Sequence, residues 1–137
     1  MSADVGVAIA RRALDLVGTP YKLGGRIPNA GLDCVGVVAL ALAERGAAAG
    51  IPDDYALRGE YLGRVSTFFD RAGFRRVDGE PLLLGDLLLC QPAVRQCHLA
   101  VVTSHGAVHA HAGLRRVVLT PLPLPWPLTG HWRSIGD

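Results

Sequence analysis

Long apolar runs are missing from this chain: nowhere do uninterrupted apolar residues approach the ~18 positions a membrane-spanning helix needs, so no span is expected. Cysteine is scarce and odd in number, with three at positions 34, 90 and 97. That does not make a disulfide framework, and free thiols are the simpler expectation. Neither sign of charge prevails, since 14 lysines and arginines stand against 12 aspartates and glutamates for a formal net charge of +2. So small and scattered an excess excludes the basic footprint of a nucleic-acid binder. A secretory signal is missing too: MSADVGVAIARRALDLV places Asp4 ahead of its apolar residues and Arg11 and Arg12 among them, the reverse of a basic start followed by an unbroken apolar stretch. The expectation is a protein made in the cytoplasm without a signal peptide. No internal repeat is visible.

What is present is an apolar chain, 137 residues and 50% hydrophobic, the size of one domain (1–137) able to bury a core without staples. Over residues 3–17, Val5, Ile9, Leu14 and Leu16 alternate with arginines in a pattern that predicts an amphipathic helix, ended by Gly18 and Pro20. Residues 18–33 are rich in glycine and proline and read as a shaped loop, with Asp33 or Asn29 placed to cap the helix after it. CVGVVALALAER, residues 34–45, is apolar nearly all round and stops at Gly46, as a buried helix with a glycine cap does. A second amphipathic helix is predicted over 60–72, with a surface connection over 47–59.

The second half changes period. LLLGDLLLCQP, HLAVVTS, AVHAHAG and RRVVLTPL are short apolar or alternating runs broken by Gly, Pro and Ser, which predicts a small antiparallel sheet. Prolines 121, 123, 125 and 127 bar a central strand from the tail until about HWRSI. Helices first and strands second is the α+β order.

Chemistry concentrates at GLDCVG. Cys34 falls in the first turn of the predicted buried helix, where unpaired N–H groups and the positive end of the dipole favour thiolate over thiol. A lone cysteine is also an ordinary small core residue, so the groups that would activate it must be found elsewhere. QCHLAVVTSHGAVHAHAG, residues 96–113, carries four of the five histidines. On a strand, His98 shares a face with Ala100 and Val102; across the SHG turn, His109 and His111 share one face of the returning strand. Paired strands bring same-face residues together, so His98 can meet His109 or His111. This supplies a nucleophile, a base and a third group that orients the base. His105 in the turn and His131 in the tail are expected to be ordinary half-exposed residues, and Cys90 to be core. Cys90, Cys97, His98, His109 and His111 are zinc-ligand types, but their spacings match no finger or deaminase pattern, and Cys97 and His98 point to opposite faces of one strand. No metal is expected.

These residues resemble the NlpC-type cell-wall cysteine peptidases, a circularly arranged branch of the papain-like fold. ALDLVGTPYKLGG at 13–25 is similar to that family's entry segment, LDCVG to its nucleophile motif, LLLGDLLL at 82–89 to its Gly-Asp strand, HLAVV to its base strand and VHAHAG to the strand of its third residue. The resemblance implies a single α+β domain, N-terminal helices packed on a small antiparallel sheet, with Cys34 as nucleophile, His98 as general base and His109 as the residue orienting His98. Tyr21 matches a tyrosine lining the site, and Asp33 the acidic neighbour of the cysteine, both on the substrate or oxyanion side. The implied reaction is hydrolysis of peptidoglycan stem peptides between D-glutamate and a diamino acid, without a cofactor. Serine usually follows the cysteine; Val35 here is similar to the branch found in phage tails and gene transfer agents. That branch implies tail-tip or hub proteins as partners, residues 121–127 as a docking segment, and action in the cell wall or periplasm. Alternatives on the same fold are an amidase or acyl transferase, or a non-enzymatic tail component.

Overall fold

The computed structural model describes residues 2–42, 61–93 and 96–136; the expected connection over 47–59, the glycine cap at Gly46 and the start of the 60–72 helix lie outside them. Helix α1 (Ser2–Leu14) buries Ile9, Ala10 and Ala13 and keeps Arg11 and Arg12 in its last turn. It stops three residues before the expected end, because Leu16 and Val17 close tight turns onto Ala13 and Leu14 and Gly18 takes φ +92°, a conformation open to glycine. Residues 18–33 hold more regular structure than their glycines and prolines suggested. A small antiparallel hairpin pairs β1 (Arg26–Ile27) with β2 (Gly31–Leu32), its turn made by Pro28 and Asn29.

Helix α2 (Cys34–Ala41) is buried along almost its whole described length, as its apolar run predicted. The Arg12 guanidinium donates to the Ala41 carbonyl at 2.8 Å and so ties the end of α1 to the last turn of α2. Helix α3 (Tyr61–Arg71) is amphipathic and buries Tyr61, Val65 and Phe69. Phe69 packs edge-on to Trp132 at 5.1 Å between ring centroids and tilts against Phe74 at 5.8 Å, an aromatic pairing that adds to plain burial.

Strands β3 (Phe74–Arg76), β4 (Leu87–Ala93), β5 (Gln96–Thr103), β6 (Gly106–His111), β7 (Arg116–Thr120) and β8 (Leu128–Ser134) form a six-stranded sheet in the order β3-β8-β4-β5-β6-β7, antiparallel throughout. This is the expected α+β arrangement of helices on a small antiparallel sheet. The tail joins it earlier than expected, since β8 starts directly after Pro127 and lies between β3 and β4. Once the last proline has passed, every N–H is available to the ladder.

Both faces of the sheet are buried. Leu87, Leu89, Leu99, Val101, Val108 and Val117 meet the helices, while Leu88, Cys90, Ala100, Val102 and Ala107 form a second core on the other face. Cys90 is core, as expected. The cover of that second core is the proline-rich segment: Leu122, Leu124 and Trp126 pack inward and prolines 121, 123, 125 and 127 face solvent. The apolar side chains that a docking segment would offer to a partner are thus directed onto the protein's own sheet.

His131 departs from expectation. It is 3% exposed, not half-exposed, and its Nε2 lies 2.6 Å from Oδ2 of Asp86. Asp86 is itself fully buried and also accepts from the Arg133 guanidinium at 2.8 and 3.0 Å and from the Leu83 N–H at 2.8 Å. Four donors therefore compensate one buried carboxylate, the condition under which such a charge is tolerated inside a protein. His105 sits exposed in the β5–β6 turn as expected.

Two glycine substitutions test the packing. A Cβ on Gly36 would strike the Gly25 carbonyl oxygen, whereas a Cβ on Gly63 of α3 would meet open space. Gly36→Ala is expected to lower stability by about 1–3 kcal/mol and Gly63→Ala to raise it by about 1 kcal/mol; urea unfolding of both variants beside the parent checks the signs.

Candidate active site

The site begins with an N-cap. Asp33 is 1% exposed, with extended backbone (φ −99°, ψ −173°), and its Oδ1 accepts the Gly36 N–H at 2.8 Å. The same carboxylate reaches backwards as well: Oδ2 accepts the Gly24 N–H and Oδ1 the Arg26 guanidinium, each at 2.8 Å. One side chain therefore caps α2 and ties the preceding loop to its first turn. Gly36 is required for the same reason, since the Gly25 carbonyl occupies the place of a side chain there.

That loop also carries Tyr21. The Tyr21 N–H donates to the Arg115 carbonyl, while Leu32 and Lys22 bond backbone to backbone across it (Leu32 N–H to Pro20 O, Lys22 N–H to Leu32 O). Tyr21, Cys34, His98, His111 and Trp126 line one cleft of roughly 290 Å³, together with Pro92 and the 110–113 turn. Asp33 does not line it. Its oxygens are engaged by the Gly24 and Gly36 N–H groups and the Arg26 guanidinium.

His98 meets His109. The paired stretch of β5 and β6 ends at Val101↔Val108, so His98 lies beyond it, and its Nε2 reaches His109 Nδ1 at 2.7 Å with the rings nearly perpendicular. His111 is instead held by its own turn, its Nδ1 accepting the Leu114 N–H at 3.0 Å. Of the two candidates for the third position, His109 is the one hydrogen-bonded to His98. Continuing the strand register would set His111 directly opposite His98, and for this reason spacing alone left the choice open.

Two further residues complete the cluster without any sequence signal that distinguished them. Thr120, at the end of β7, brings its Oγ1 within 2.7 Å of His109 Nε2. Trp126 presents its ring edge-on to both imidazoles, 6.0 Å from His98 and 5.4 Å from His109. Trp126 was visible only as the one aromatic of a proline-rich run, and Thr120 only as a strand threonine.

Burial dominates the electrostatics. Cys34 is 3% exposed, and desolvation pushes its thiol up to about 12; backbone hydrogen bonds from Leu99 and Val35 and the charge of Arg26 oppose this, while the charge of Asp33 adds to it. The helix terminus that was expected to favour thiolate is outweighed by the loss of water around it. His98 is pulled down to about 3 by burial and by the neighbouring His109 and His111, and His109 to about 4 by burial and His111. These shifts keep the Cys34 thiol protonated and the His98 and His109 imidazoles neutral at neutral pH. Among the described residues no group of three or more His, Cys, Asp or Glu is arranged to hold a metal ion.

No family model and no curated protein sequence matches the chain. Solved structures do. RipB, a peptidoglycan hydrolase from Mycobacterium tuberculosis, superposes with a TM-score of 0.65 at 21% identity, over 99% of this chain and 67% of that one. The NlpC/p60 domain of the peptidoglycan hydrolase SagA gives 0.61 at 23% identity, over 94% and 97%. The fold is that of the NlpC/p60 domain. The P60 domain of the Mycobacterium avium subspecies paratuberculosis antigen MAP1204 agrees, with 0.60 at 20% identity over 98% and 96%. In this chain the cleft is lined from the start of α2 by Cys34, from β5 by His98 and from the end of β6 by Ala110 and His111.

Stability against pH follows from the shifts. His98 and His109 have an ordinary value of 6.5 but titrate near 3 and 4 when folded, so the unfolded chain binds more protons in that interval and stability falls as pH drops through it. Cys34 and Cys90 have an ordinary value of 9.0 and are pushed up to about 12 by burial, so stability falls again as pH climbs above 9. Denaturation midpoints should therefore be highest between about pH 6.5 and 9. Cys34→Ala should make the alkaline decline shallower; an unchanged decline would show that burial of this thiol does not contribute.

Proposed function

We propose that this chain is a cysteine peptidase of bacterial peptidoglycan, acting on the stem peptide at the bond between D-glutamate and a diamino acid. The observation that supports it most is the opening of Cys34 and His98 onto one cleft, with the buried His109 hydrogen-bonded to His98 behind it, on a fold whose solved neighbours include peptidoglycan hydrolases. In this reading His98 takes the thiol proton as Cys34 sulfur attacks the peptide carbonyl. The Cys34 backbone N–H at the start of α2, with Tyr21 nearby, receives the developing oxyanion. His98 then hands the proton to the leaving amine, a thioester remains, and water activated by His98 releases the acid and restores the thiol. His109 holds the His98 ring through its second nitrogen. No cofactor enters these steps.

The neutral resting state bears on timing. With the thiol high and the imidazole low, no thiolate–imidazolium pair is set up in advance, and proton transfer accompanies attack once substrate fills the cleft and excludes water. The similarity of Val35 to the phage-tail and gene-transfer-agent branch supports a place in such a particle, with tail-tip or hub proteins as partners and the wall or periplasm as the site of action.

Purified diaminopimelate-containing peptidoglycan, incubated with the parent and Cys34→Ala proteins and read by mass spectrometry, tests the reaction and its bond. The parent should release peptides with a new diaminopimelate N-terminus and Cys34→Ala none; other new termini would indicate an amidase, and no release from either folded protein would favour the non-enzymatic component. His98→Ala should lower kcat by about 10²–10⁴-fold. Because His98 stays neutral down to about pH 3, kcat/KM is expected to show no acid limb between about pH 5 and 7; a limb near 6.5 would mean that the imidazole titrates at its ordinary value.

A further inference from the structure

The two short contacts of His109 form a directed chain, Thr120 Oγ1 to His109 Nε2 at 2.7 Å and His109 Nδ1 to His98 Nε2 at 2.7 Å. A neutral imidazole has one N–H and one lone pair, so each ring fixes the direction of the next bond. If His109 carries its proton on Nε2, it donates to Thr120, accepts from His98 Nε2–H, and leaves the lone pair of His98 on Nδ1. If His109 carries its proton on Nδ1, it donates to His98, whose proton then sits on Nδ1 and cannot be replaced by that of the thiol. Only the first arrangement leaves His98 Nδ1 able to take a proton. It is also the only one that survives when His98 becomes an imidazolium, because both ring nitrogens of His98 are then donors and His109 Nδ1 must accept.

We infer that Thr120 is a positioning residue of the active site, its hydroxyl oxygen accepting the His109 Nε2–H and thereby holding His98 in the tautomer that can act as base. The requirement is strict because His109 is 0% exposed and has Trp126 edge-on to its ring, so no water stands in readily for the hydroxyl. Thr120 is only half-buried, which leaves its own hydroxyl proton free to be given to solvent while the oxygen accepts. It does not line the cleft and acts through His109. This deepens the peptidase reading and rests on it for the kinetic part, while the tautomers themselves can be read without turnover.

The test combines both. In ¹⁵N–¹H long-range spectra of the ring nitrogens at neutral pH, the parent should show His98 and His109 each protonated on Nε2. Thr120→Val, which keeps the shape and removes the oxygen, should move both protons to Nδ1 and lower kcat on peptidoglycan by about 10- to 100-fold, the cost of a buried N–H left without an acceptor. KM should stay nearly unchanged, and Thr120→Ser should restore both the spectrum and kcat. A parent spectrum with His109 protonated on Nδ1 overturns the inference whatever the variants do, which keeps it testable if Thr120→Val does not fold. So does a folded Thr120→Val with the parent's tautomers and kcat, or a Thr120→Ser that keeps the hydroxyl and is as slow as Thr120→Val. If no protein releases peptide but the tautomers respond as described, the peptidase reading fails and the relay stands.

Discussion

The Asp33 carboxylate is the contact on which the site's geometry depends. It is buried, and a buried carboxylate must be met by donors or it costs more than a fold of this size can spare. Those donors come from two places: the first turn of α2 at Gly36, and the loop before it at Gly24 and Arg26. Satisfying the charge therefore fixes the loop against the helix. Cys34, one residue later, is held at the helix start, and Tyr21 is carried to the wall of the same cleft by the segment that the loop completes. The two glycines at 25 and 36 belong to this contact, because backbone passes where side chains would otherwise be.

Seating the cysteine so firmly also dries it. The helix terminus, the Leu99 and Val35 N–H groups and Arg26 all favour a thiolate, yet desolvation exceeds them and the thiol stays protonated. The same burial keeps His98 and His109 neutral. Two effects that usually serve reactivity, exclusion of water and a preformed charge, here oppose each other, and exclusion of water is the larger. In the proposed mechanism, the hydrogen-bonded order of Thr120, His109 and His98 is what remains to prepare the base.

The far face of the sheet supports the same site. The proline-rich segment turns Leu122, Leu124 and Trp126 onto the second core, and Trp126 at its end closes over both imidazoles. A segment that the resemblance suggested as a docking segment is thus part of the wall that keeps the histidines out of water. On the same sheet, Asp86 gathers His131, Arg133 and the Leu83 N–H into a second satisfied charge, holding the start of β4 to β8.

Much of this was legible in the chain itself, because it depends on local pattern. Apolar periodicity marked α1 and α3, an unbroken apolar run marked α2, short apolar or alternating runs marked β4 to β7, the cap of α2 was narrowed to Asp33 or Asn29 by their place before that run, and Cys34 and His98 stood out by residue type beside those signals. What lay beyond the sequence were contacts between segments far apart in number. The choice of His109 over His111 depended on where the β5–β6 pairing ends, the burial of His131 on a carboxylate 45 residues away, and the part played by Thr120 and Trp126 on strands and loops brought together only by the sheet. The protonation of Cys34 lay beyond the sequence for the same reason: a helix terminus is a local feature that a sequence displays, whereas the water removed from around a thiol is set by everything that packs against it.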